Sequence, residues 1–519
     1  MKDSKNDITP AASALDASLK DRLNRRQFFA RSASAAAGGT LLHSGLFAGL
    51  VARSARADHD LRDRTGYGPL VPAGPELELP RGFRYAIISK EGEEMTDGYP
   101  TPKAMDGMAA FPLRNGNIAL VRNHEDAEQP SRLRPRPMGS TSTSAGILNN
   151  RLLTHYGPRT YAYDAYVGGG CTTLEYNPRR RRVVREFWSL VGTFRNCAGG
   201  TTPWGSWLSC EETFEPAAPT GAAQNHGYVF EVPSTTTPGH PADPIPLRQL
   251  GRMAHEAAAV DPATGIIYET EDQGDVSGFY RFVPDIRPTR PGDLARTTGR
   301  LQMLKVNTAN GYETAINQRV GVALPTSWVD VPDPDPTPPT VTVDGVTAAA
   351  IFKQGFDAGG ARFRRLEGIW YAAGKIFFDS TNGGNWGFGQ IWVYDPVAET
   401  LTLLFESDSA DRLDAPDNLA LSPRGGIIIA EDNGGAQYLR GISPSGELFD
   451  FARNLHNTLE FAGACFSPDG QTMFVNLYGR ATVRTTQPYK SPVLIPIPSE
   501  ERELALTIAI WGPWGSGLL

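Results

Sequence analysis

The chain has 519 residues, 40% of them hydrophobic, and a formal net charge of −7. That is ample material for a large core, while the acidic balance speaks against a nucleic-acid binder, which shows a basic excess or stripe. Four cysteines are too few to make a disulfide scaffold of so long a chain, and the many glycines and prolines (55 and 41) suit short strands joined by tight turns.

Residues 1–57 read as an address. Asn24-Arg25-Arg26-Gln27-Phe28-Phe29 is a twin-arginine signature, with paired arginines followed by bulky apolar residues. The stretch from Ser32 to Val51 is diluted by glycine, serine and His43, too polar for a membrane anchor. Ala55-Arg56-Ala57 offers a small-x-small cleavage site before Asp58. The segment carries nine Lys/Arg against four Asp/Glu, so its removal leaves a more acidic protein. An ordinary amphipathic helix is the alternative. The expectation is export of a folded protein through the twin-arginine translocation machinery to the periplasm or beyond, with a single domain over 58–519 and no retained anchor. That route often serves proteins that take up a cofactor before export.

The rest of the chain repeats one pattern six times. A polar or acidic residue opens a short apolar strand, a glycine-containing turn follows, and a second apolar strand ends in another polar cluster. The copies run Met105–Asp126, Asn196–Thr213, His255–Gly274, Leu366–Gly384, Pro416–Gly435 and Phe461–Arg480. Asn115-Gly116, Thr264-Gly265 and Asp469-Gly470 are turn pairs that favour hairpins. Third strands follow at Gly227–Phe230, Gly278–Arg281 and Gln390–Tyr394. The fold expected is all-β, a six-bladed propeller with long insertions at 130–160, 234–247 and Pro325–Val343; a two-sheet sandwich is the alternative. No long amphipathic helix is expected.

In a hairpin the beginning of the first strand lies beside the end of the second, so the opening and closing polar groups of each copy share one end. The pairs are Asp106 with Asn123 to Asp126, Cys197 with Glu211 and Glu212, and His255-Glu256 with Glu269, Glu271 and Asp272. Glu367 then pairs with Asp379, and Asp417 with Glu431 and Asp432. The sixth copy carries Asn476 and no carboxylate at these positions. Two carboxylates about 4 Å apart repel by roughly 4 kcal/mol at an effective dielectric near 20, so a converging ring calls for cations. Oxygen-rich sites suit calcium, and a Cys197 thiolate suits iron or zinc. A disulfide from Cys197 to Cys171 or Cys210 is equally open, as is the state of Cys465. His124 and His255 are expected to orient neighbours and are not assigned as ligands.

Taken as an ordered set, these motifs resemble the PhoX family of exported alkaline phosphatases. The matching segments are Asn123-His124-Glu125, Asn196 to Gly200 with Thr202 to Gly205, and Ser209 to Glu212. His255-Glu256, Tyr268 to Asp272, Glu367-Gly368, Pro416 to Asn418 and Glu431-Asp432 continue the series. Phe461 to Gly463, Phe466 to Gly470 and Gly512 to Trp514 complete it. The resemblance implies a monomeric enzyme hydrolysing small-molecule phosphate monoesters by metal-assisted in-line displacement, with Fe3+ and Ca2+ in the propeller channel. Cys197 and Glu212 would be iron ligands. Glu256, Glu271, Glu367 and Glu431 would hold the other ions, with Glu125, Asp272 and Asp417 from the same hairpin ends. Arg365 would clamp phosphate, and Asn123 would contact substrate or metal. The competing readings are an exported propeller with purely structural calcium, and one acting on diesters, triesters or lactones.

Overall fold

Runs such as Ile427–Glu431 and Lys375–Ser380, rich in β-branched or aromatic residues and bounded by turns, form strands because a short apolar run between breakers has no room for a helix. A computed structural model describes residues 66–126, 161–164, 167–214, 222–479, 504–516 and 519, all within one compact unit, His43–Leu519. The twin-arginine segment, its cleavage site and the 130–160 insertion lie outside the described residues.

Each of the six repeats is an antiparallel hairpin. The first joins Met105–Pro112 to Ile118–His124, the second Asn196–Thr201 to Ser206–Glu211, and the third His255–Val260 to Ile267–Glu271. The fourth joins Leu366–Ala372 to Lys375–Ser380, the fifth Pro416–Leu421 to Ile427–Glu431, and the sixth Phe461–Phe466 to Thr472–Leu477. Further strands extend every hairpin outward. The first sheet has four strands and the second three; the fifth has six, and the sixth is completed to four by Leu506–Trp511 and Arg84–Lys90. The third and fourth fuse into one nine-stranded sheet because Ala323–Val331 pairs with Gly299–Val306 on one side and Thr400–Glu406 on the other. Part of the excursion expected over Pro325–Val343 is therefore a bridging strand. Pro325 is tolerated there at a short junction whose partners are Ala323 to Pro325 with Thr400 to Thr402.

The first strand of each hairpin packs against that of the next, and the sixth against the first, so the arrangement closes as a propeller-like ring. An apolar seam fills each interval. Val121 and Leu190 meet Trp207 and Phe230 between the first two hairpins. Leu208 meets Ile267 and Phe282 in the next interval, and Phe279 meets Phe378 and Trp392 in the third. Val393 meets Ile429, Ile428 meets Met473, and Phe474 meets Leu120 in the remaining three. Among the described residues the one α-helix is Ala350–Asp357, and no helix is long and apolar enough to cross a membrane.

The first strands of neighbouring hairpins approach so closely that glycine is required. A Cβ on Gly200 would lie 1.8 Å from the Ala258 carbonyl oxygen of the next hairpin, whereas one on Gly434 would meet nothing within 4 Å. Gly200→Ala should therefore destabilise by about 1–3 kcal/mol or prevent folding, as overpacking does. Gly434→Ala should stay within about 0.5 kcal/mol of the parent, as open surface sites do. Thermal unfolding of the two variants checks this; equal midpoints would contradict the close packing of the ring.

Candidate metal centre

One backbone hydrogen bond recurs at the mouth of every hairpin. The N–H of the residue following the second strand donates to the carbonyl of the residue preceding the first. Glu125 bonds Ala104, Glu212 bonds Arg195, Asp272 bonds Ala254, Thr381 bonds Arg365, Asp432 bonds Ala415 and Tyr478 bonds Glu460, at 2.9 to 3.1 Å. Just inside, the first strand always breaks register, between Met105 and Met108, Asn196 and Gly199, His255 and Ala258, Leu366 and Ile369, Pro416 and Asn418, and Ala462 and Cys465. Such bulges re-aim side chains. The residues that open the first five are Asp106, Cys197, Glu256, Glu367 and Asp417. Ala104, Arg195, Arg365 and Ala415 take left-handed φ of 50°, 53°, 40° and 52°, a conformation non-glycine residues seldom hold without a compensating structure.

These positions bring acids from all six hairpins into one electrostatic group. Burial, then Glu125 and Asp417, pushes the Asp106 carboxyl well up. Burial with Glu125 and Asp272 does the same to Glu212, and burial with Asp417, Glu212 and Asp106 to Glu256. Glu367 is raised by burial, Asp272, Asp417 and Glu256, and Glu460 by burial, Asp417, Asp432, Asp106 and Glu125. Burial, with Asp432 adding, takes Asp417 from 3.8 to about 7. Cys197 donates to Glu256 Oε1 at 3.2 Å, and its thiol is pushed well up by burial and by Asp106, Glu256 and Glu212.

The donor set fits cations. Ligand atoms of Cys197, Glu212 and Glu256 lie within 4.8 Å of one another, as do those of Asp417, Asp432 and Glu460. Glu256 Oε2 is buried with no hydrogen-bond partner among the described residues. Two guanidiniums stand in the group. Arg365 donates to Asp272 at 3.1 Å from both Nε and an Nη, and to Glu367 at 2.7 Å. Arg195 lies 3.5 Å from Glu125 and from Glu212.

The structure places the expected residues in different surroundings, and Glu271 Oε1 and Glu431 Oε2 are, like Glu256 Oε2, buried with no hydrogen-bond partner among the described residues. Glu271 and Glu431 end their second strands, and because side chains alternate along a strand each turns into its own sheet. Glu271 accepts from Gly278 N–H at 2.9 Å and Tyr280 Oη at 2.8 Å, and Glu431 from Arg440 Nε at 2.9 Å and Asp414 N–H at 3.0 Å. The next residues, Asp272 and Asp432, face the group instead. Glu211 is committed in the same way, to Phe194, Gly227 and Tyr228 N–H groups and to His226. Asn123 is fully buried. Its amide donates to the Cys197 and Ala198 carbonyls and accepts from Trp207, Ser209 and Cys171, so it straps the Cys197 strand in place and has no capacity left for substrate. All four cysteines are free and buried, which removes the disulfide. The sixth hairpin does supply a carboxylate, Glu460, one position before the repeat as read from the sequence. Arg195, Glu460 and Tyr478, which donates to Glu125 at 2.6 Å, were not singled out there. The signal that finds them is the residue immediately outside each hairpin.

A family model described as alkaline phosphatase PhoX matches residues 65–479. The solved structure of Pseudomonas fluorescens PhoX in complex with vanadate, a transition state analogue, is 18% identical over 87% of this chain and 98% of that one, with a TM-score of 0.59. That likeness shows a shared fold. A gluconolactonase from Xanthomonas campestris (10% identity, 87% of this chain and 99% of that one, TM-score 0.36) and the calcium-binding protein regucalcin from Agrobacterium tumefaciens (8%, 82% and 95%, TM-score 0.35) are far looser. No curated protein matches.

The raised carboxyls have a consequence for stability. Between 3.8 and about 7 the folded chain keeps a proton on Asp417 that the unfolded chain has released, so stability falls as pH rises through that window. Chelator-treated protein should therefore show a lower urea midpoint at pH 8 than at pH 5, and calcium should raise the pH 8 midpoint more than the pH 5 one. A midpoint that climbs from pH 5 to pH 8 without ions would contradict the convergence of these acids.

Proposed function

Since the chain belongs to the PhoX family of alkaline phosphatases, we propose that it hydrolyses phosphate monoesters at the ring of hairpin mouths, using iron and calcium held by that ring. The carrying observation is the convergence of Cys197, Glu212 and Glu256 ligand atoms within 4.8 Å, together with the family match. The soft thiolate suits Fe3+, so Cys197 with Glu212 and Glu256 is the iron-holding group. The all-oxygen set Asp417, Asp432 and Glu460 suits Ca2+, with Asp106, Glu125, Asp272 and Glu367 available to complete the sites. Bound there, the cations supply the Lewis acidity that in-line displacement at phosphorus needs.

The chain's own residues bind and orient the ester. Arg365 is held by Asp272 and Glu367; burial alone would lower its pKa, but these two partners raise it, so it stays cationic at alkaline pH. Its planar fork matches the non-bridging phosphoryl oxygens, whose charge must be stabilised in the transition state. Six hairpins and six apolar seams support a count of six blades, with the fused third and fourth sheets being two blades joined by Ala323–Val331. Arg25-Arg26 supports a twin-arginine leader over 1–57 and export of the folded 58–519 domain to the periplasm or beyond.

Protein folded in the cytoplasm should contain iron and calcium by elemental analysis and hydrolyse p-nitrophenyl phosphate at alkaline pH, with loss of activity on calcium chelation. Arg365→Ala should lower kcat by about 10²–10³-fold, the range for loss of a transition-state donor, and Cys197→Ala should lose iron with activity. Undiminished rates in both variants would remove these residues from the chemistry. Calcium without iron, and no turnover on any ester, would leave a propeller that calcium merely staples.

A further inference from the structure

Two hairpins carry an arginine at the same place in the repeat. Arg195 and Arg365 each precede a first strand, each takes a left-handed φ, and each accepts the mouth hydrogen bond at its carbonyl. Their side chains are the more solvent-facing part of the group, 37% and 32% exposed, over Glu212 at 16% and Asp272 at 10%. The Glu212 and Asp272 carboxyls face each other closely enough that Asp272 helps push Glu212 up. The two guanidiniums therefore bracket one carboxyl pair, Arg195 on the Glu212 side and Arg365 on the Asp272 side. An anion settling over this carboxyl pair is within reach of both guanidiniums.

The two arginines differ in how far they are committed. Arg365 makes three hydrogen bonds, at 2.7 to 3.1 Å. Arg195 stands off at 3.5 Å from both its acids, and its Nε is buried with no hydrogen-bond partner among the described residues. A buried donor without an acceptor is unfavourable, and a guanidinium with donors to spare is suited to an oxyanion. Resting on the phosphatase reading above, we propose that Arg195 is a second phosphate-binding residue, gripping the phosphoryl oxygens from the Glu212 side while Arg365 holds them from the Asp272 side.

The test uses the full, metal-loaded enzyme and its Arg195→Ala and Arg195→Lys variants. Inhibition by inorganic phosphate, KM and kcat for p-nitrophenyl phosphate, metal content and Tm are measured for each. Arg195→Ala should weaken phosphate inhibition at least tenfold and raise KM more than it lowers kcat, with metal content and Tm unchanged. Arg195→Lys should recover part of the loss. A phosphate inhibition constant within twofold of wild type overturns the proposal. So does a weakening that appears only with lost metal or lowered Tm, because Arg195 would then be supporting the acids. If the wild-type protein turns over no ester, the phosphatase reading fails by itself; calorimetric titration with inorganic phosphate then decides Arg195, and equal affinity in wild type and Arg195→Ala rejects it.

Discussion

The mouth hydrogen bond that closes each hairpin is the constraint on which the rest depends. It fixes the residue before the first strand and the residue after the second as neighbours, six times over, and the bulge just inside turns a third side chain toward the same space. A neutral framework then holds this geometry against the mutual repulsion of the acids. Asn123, Thr270 and Asn476 each sit one residue before the end of a second strand. Each donates to the carbonyl of the residue that opens the next hairpin's bulge, at Cys197, Glu367 and Asp106. The acids are gathered by backbone, amide and hydroxyl bonds that do not themselves titrate.

Much of this was legible in the sequence. Glycine turns between short β-branched runs gave away the hairpins, and the antiparallel rule placed Asp106, Cys197, Glu256, Glu367 and Asp417 at one end. What sequence could not resolve was the last single-residue step. In Glu211-Glu212, Glu271-Asp272 and Glu431-Asp432 both residues are acidic, and a strand's period of two sends neighbours to opposite faces. Composition is blind to which of each pair faces inward; the first takes hydrogen bonds within its own sheet and the second meets the acids. Asn123 misled for the opposite reason, since an amide between polar neighbours looks like a contact residue until its partners are known. Glu460 and Arg195 were passed over because they stand just outside the repeat, where no apolar pattern marks them.

The paired acids also divide two tasks. Glu211, Glu271 and Glu431 act as pins, with donors supplied by backbone N–H groups, Tyr280, His226 or Arg440. They tie the end of the second strand to the outer strands and so hold their inward-facing neighbours still. A site that must bind cations without collapsing or splaying needs such rigid backing, since small displacements are amplified in metal affinity and in reactivity.

The sheet built on the sixth hairpin is finished by Arg84–Lys90, from the other end of the folded region, laid beside Leu506–Trp511. Nearby, Ala505 N–H donates to Glu91 across 414 positions of sequence. Contacts so remote are slow to form, because most of the chain must be ordered before the ends can meet. A nascent chain still tethered at its C-terminus can stack its early hairpins but cannot seal the circle. Glu460 and Asp106 belong to the sixth and first hairpins, so the group has its full complement of acids only where the two ends of the folded region are clasped together.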